Sequence, residues 1–78
     1  MAWTKVMVYN CHEASVIKDP TEPDDSEFVV KTIKAGDTVN VDLSNVVWDY
    51  MSRRQYYKVE NPLNPEAGYI HTMLVKVV

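Results

Sequence analysis

Three groups of residues carry types that could do chemistry. Cys11, His12 and Glu13 set a thiol, an imidazole and a carboxylate in succession, the ingredients of an activated nucleophile or of part of a zinc site. Successive side chains on a strand point to opposite faces, so Cys11 and His12 would not converge on one atom. Zinc takes about four ligands, and the only other histidine is His71. A triad would need His71 beside Cys11 with an acid behind it, and no spacing in the chain calls for that. The expectation is therefore a protein that is not an enzyme, with no catalytic residues, no metal and no cofactor.

The second group is acidic. Asp19, Glu22, Asp24, Asp25 and Glu27 crowd the stretch 19–27 together with Pro20 and Pro23, a composition that makes a solvated loop. Carboxylates gathered on one loop can hold calcium, but the spacing is not that of an EF-hand loop. They can also draw in a basic peptide or a free amine. The third group is aromatic. Rings on neighbouring strands either fill a small core or line a shallow groove, and the plainer reading of any one ring is core. Tyr56 and Tyr69 read as structural. Trp48 and Tyr50, which flank Asp49 beside a loop, read as groove residues together with Tyr57. Arg53 and Arg54 read as solvated, and His71 as the cap of a short turn after its strand, with a place at the edge of the groove as the alternative.

The elements that must position these groups are strands. Val, Ile and aromatic residues dominate, and no stretch of helical length carries an unbroken 3.6-residue apolar stripe. Strands are expected at 5–9, 14–18, 28–33, 38–43, 56–60, 68–71 and 74–78, with a helical turn at 72–73. Lys34 to Asp37 reads as the turn of a hairpin joining 28–33 to 38–43, with Val39, Val41 and Leu43 on one face. Residues 46–50 extend that hairpin or close a loop, and a second loop is expected at about 44–55. Five to seven short strands in 78 residues imply one domain, 1–78, an all-β barrel whose closure removes exposed edges.

Charge narrows the partners. Eleven acids against eight bases give a net charge of −3, which argues against a nucleic-acid track and against docking on anionic lipid. One cysteine excludes an internal disulfide. Residues 1–10 lack the pattern of a secretory signal and no run is apolar enough to span a bilayer, so the expected location is cytoplasmic as synthesised. Release with a phage particle or by lysis is compatible with that.

The order of segments resembles the bacterial SH3-like domain family. The residues that carry the resemblance are Val16 to Pro20, Val29-Val30, Ile33 to Asp37, Val39 and Val41, Tyr56 to Val59, and Gly68 to His71, with Leu74 just after. Ile17 stands where family members often have Arg, and Tyr56 where Trp is common. The resemblance implies a small SH3-like barrel of five to seven short strands that acts as a non-catalytic binding module. Its ligand would be a peptide, a peptidoglycan fragment or a protein partner, held between the acidic loop and the second loop. Trp48, Tyr50 and Tyr57 would supply contact area there, while Asp24, Asp25 or Glu27 would attract an amine. The alternative is a small structural or assembly protein of a phage particle or multi-protein complex, with the C-terminal LVKVV segment as a contact.

Overall fold

The computed structural model describes residues 3–22, 28–49, 52–60 and 68–78. Seven strands run in chain order: β1 (Thr4–Val8), β2 (Glu13–Ile17), β3 (Val29–Lys34), β4 (Thr38–Trp48), β5 (Gln55–Val59), β6 (Tyr69–His71) and β7 (Val75–Val77). A 3-10 turn, Thr72–Leu74, separates the last two. All seven belong to one antiparallel sheet in the order β3-β2-β6-β5-β4-β1-β7.

That order forces the sheet to curl. β3 and β4 follow each other in the chain yet sit four positions apart, about 19 Å in a flat sheet at ~4.8 Å per step. Only Ala35, Gly36 and Asp37 join them, a link that reaches at most about 14 Å. The sheet must therefore roll until the end of β3 meets the start of β4, which gives a small, barrel-like all-β fold. The expected β3–β4 hairpin does not form. Lys34 to Asp37 is still a tight turn, with the Asp37 N–H donating to the Lys34 carbonyl at 3.0 Å and Gly36 at φ 90°. Its outward groups bond β1 instead: Gly36 N–H donates to Val8 O at 2.8 Å and Val8 N–H to Asp37 O at 3.0 Å. A tight turn closes a hairpin only when both strands lack better partners, and here β3 pairs with β2 while β4 pairs with β1 and β5.

The core is aliphatic and lies inside the curl. Val6, Val8, Ala14, Val16, Val41, Val59, Ile70 and Val75 form it, each at most 7% exposed. Alternation brings them to one face: Val41 stands opposite Val59, Tyr57 opposite Ile70, and Ile70 opposite Val16. Gly68 is the tightest point. Its φ is 110°, and a Cβ there would lie 2.5 Å from Val16 Cγ1, so the chain enters β6 against the core only because no side chain intervenes.

β4 departs from the expected pattern in its second half. Asp42 pairs with Lys58, but the next pair is Val46 with Tyr57, so Leu43, Ser44 and Asn45 are extra residues on β4. Asp42 holds this break: its carboxylate accepts the Ser44 N–H at 3.0 Å and the Ser44 hydroxyl at 2.6 Å. Two expectations are corrected here. Leu43, expected on one face with Val39 and Val41, is exposed while those two pack inward, and residues 44–48 of the loop expected at about 44–55 are strand, so that 46–48 extend β4, one of the two readings given for 46–50.

Candidate functional site

Past the break, β4 resumes its pairing with β5 through Val46–Tyr57, Val47–Tyr56 and Trp48–Gln55. Cross-strand partners share a face, so Val46, Trp48, Gln55 and Tyr57 lie together on the side that continues the core. The burial changes along that face. Tyr57 packs against the core cluster, whereas Val46 is 40% exposed and Trp48 57% exposed. The barrel interior thus runs out into an apolar rim at the end of the β4–β5 hairpin. Trp48 and Tyr57 are diagonal neighbours there, about 7–8 Å apart by strand geometry and within reach of one aromatic contact surface.

The hairpin tip is held by Asp49. Its N–H donates to Arg54 O at 2.7 Å, its carbonyl accepts the Arg53 N–H at 3.2 Å, and its carboxylate accepts the Ser52 N–H at 2.9 Å. Arg53 has a φ of 59°, so the tip turns through a left-handed residue. The structure therefore brings together two of the residues singled out for the groove, Trp48 and Tyr57. Tyr50, Asp24, Asp25 and Glu27 lie outside the described residues. The acidic loop is seen only at its start, where the Asp19 carboxylate accepts the Thr21 N–H at 2.9 Å and hydroxyl at 2.6 Å, and Pro20 is fully buried.

The opposite face of the same strands carries a second set of rings. Tyr56 on β5 stands opposite His71 on β6, with ring centroids 5.4 Å apart and planes tilted by 46°. Tyr69 lies two residues before His71 on that face, and all three are half-buried. Burial pushes the phenols of Tyr56 and Tyr69 above their ordinary range, with the charges of Asp49 and Asp19 respectively adding to it. Burial also pushes the His71 imidazole below its ordinary value, helped by the Arg54 charge. The expected capping role of His71 is corrected. It occupies the position before the 3-10 turn, but its side chain makes no capping bond and packs on Tyr56 instead.

Cys11 and His12 lie in the bend between β1 and β2, with Asn10 at φ 65°, and not on a strand. The Cys11 thiol packs against the core and donates to Tyr9 O at 3.5 Å, while His12 is exposed. Among the described residues no group of three His, Cys, Asp or Glu side chains gathers to hold a metal, and no helix is long and apolar enough to cross a membrane.

The outer ring set was readable in part. Tyr56-x-Lys58 and Tyr69-x-His71 alternate with period two, which places each pair on one face. Their meeting depends on β5 pairing with β6, which the sequence does not state. Compared with protein-family models, with curated proteins and with solved structures, the chain gives no match to any.

Proposed function

We propose that the protein is a non-catalytic binding module whose ligand docks on the apolar rim formed by Val46, Trp48 and Tyr57. The observation that carries this reading is the indole of Trp48, more than half exposed on a face that elsewhere is core. A ring of that size left in water at the mouth of a barrel, beside a half-buried tyrosine, offers flat contact area without refolding. The likeness of the segment order to bacterial SH3-like domains supports the same reading and suggests an extended peptide or peptidoglycan fragment as ligand. Asp24, Asp25 and Glu27 would add attraction for an amine. A shallow rim of this size gives weak affinity, about micromolar to millimolar.

The test is a shift-mapping titration of the isotope-labelled chain with purified muropeptides and with short basic peptides. Resonances of Val46, Trp48 and Tyr57 moving together on addition of one of these ligands would support the rim. Shifts elsewhere, or none at millimolar ligand, would sink it.

A second reading rests on a different observation. Val77 of β7, the short edge strand of the sheet, and Met73 and Val78 on either side of that strand are 60%, 64% and 71% exposed. An apolar edge of that kind suits a subunit of a larger assembly. Sedimentation separates the two: a concentration-independent monomer favours the module, a defined oligomer the assembly protein.

A further inference from the structure

The outer face of β5 and β6 is built differently from the apolar rim and does not depend on it. Tyr56 and His71 make a ring pair with centroids 5.4 Å apart, and Tyr69 continues the face along β6. Arg54 directly precedes β5, two residues before Tyr56, and its charge bears on both Tyr56 and His71. It is exposed, and among the described residues no side chain bonds its guanidinium.

Three acids near this face are committed elsewhere, while Glu60 lies past the far end of β5 from Arg54. Asp49 accepts the Ser52 N–H and has a further partner, Asp42 is held by Ser44 and faces Lys58 across the ladder, and Asp19 is held by Thr21. A planar cation with five donors is thus left beside a half-buried aromatic surface, an arrangement complementary to a carboxylate attached to an apolar body.

We propose that this outer face is a second binding site, for an extended acidic peptide that sets a carboxylate against Arg54 and an apolar side chain on the Tyr56–His71 pair. A nucleic-acid strand fits less well. It brings one phosphate per nucleotide and needs cations along its whole path, whereas beyond Arg54 this face offers only Lys58, opposite Tyr69 and paired across the ladder with Asp42, before the carboxylate of Asp19.

The test is a titration of the labelled full chain with three probes: an acetylated peptide amide of alternating glutamate and valine, its glutamine counterpart, and oligothymidylate. The acidic peptide alone should move the resonances of Tyr56, Tyr69 and His71. Arg54→Gln should weaken it about tenfold, the loss of one charge-assisted contact, and Trp48→Ala should leave it unchanged. Because Arg54 is exposed, preserved spectral dispersion in the variant will show that the fold is intact. Equal binding of the glutamine peptide, binding of oligothymidylate alone, shifts confined to Val46 and Trp48, or no shift at millimolar acidic peptide would each overturn the proposal.

Discussion

The two faces of the β4–β5–β6 region obey the same alternation and end in opposite states. On the inner face, Val59, Tyr57, Ile70 and Val16 close into core. The same face carries Val46 and Trp48 into solvent, because β4 runs on past Val41, its last pairing with β1, and is flanked there by β5 alone. On the outer face, Tyr56, Tyr69 and His71 are half-buried on a solvent side, held between the charges of Arg54 and Asp19. Side-chain direction therefore assigns a residue to a face, while strand length decides whether that face is core or surface. The inner rim is apolar because it is unfinished core. The outer set is polar at its edges because its rings carry hydroxyl and imidazole groups that keep access to water.

The largest expected effect falls where both faces share their support. Gly68→Ala combines a positive-φ penalty with a 2.5 Å approach to Val16, and should lower stability by about 3 kcal/mol. Urea denaturation would measure it, and both ring sets should lose their native shifts together. A loss under about 1 kcal/mol would mean that β6 can shift without harm, and the tight coupling of the two faces would be wrong.

Tyr57→Ala comes next, at about 2 kcal/mol, since its ring is half-buried against the core. Trp48, on the same face two residues away diagonally, should behave unlike it.

The outer face should report itself through pH. The folded state holds His71 below its ordinary 6.5, so the unfolded chain takes up a proton first. Stability is then full above about pH 7 and falls as pH drops through 6.5 towards the folded value. His71→Phe should flatten that decline while leaving Tyr57 and Trp48 unaffected. Burial sets most of that shift and the Arg54 charge adds to it, so Arg54→Gln should reduce the decline without abolishing it.

A smaller, separate decline belongs to Asp42. Its carboxyl is held below the ordinary 3.8, first by the Ser44 hydroxyl and then by the Ser44 N–H. The stability it contributes is present above about pH 4 and is lost as pH falls through the folded value. Ser44→Ala should remove part of that acid-range dependence and leave the His71 window untouched. Loss of both windows in one variant would show that the β4 break and the outer ring pair are not independent.

Much of the architecture was legible because it is written locally. The seven strands, the acidic start at Asp19 and the helical turn at 72–74 follow from β-branched runs, Pro and Gly placement and alternation. The pairing was not. Lys34 to Asp37 has the composition of a hairpin turn, yet its hydrogen bonds go to Val8, a choice made by sheet curl that no local signal encodes. The break after Asp42 was equally hidden, since Asp-Leu-Ser-Asn reads as the end of a strand as readily as a bulge within one. Of the expected groove, Trp48 and Tyr57 are brought to one face by the continuation of β4 through 46–48, one of the two readings given for 46–50. The meeting of Tyr56 with His71 needs the β5–β6 register, and a turn directly after His71 makes that residue read as a cap.

The central claim is that Trp48 is displayed and does not hold the fold together. Urea denaturation of Trp48→Ala beside the parent chain tests it most directly and needs no ligand. The predicted result is a midpoint and slope unchanged within about 0.5 kcal/mol of stability, as for other exposed positions. A loss of about 3 kcal/mol or more, the range for a large aromatic removed from a core, would contradict it and return Trp48 to the structure.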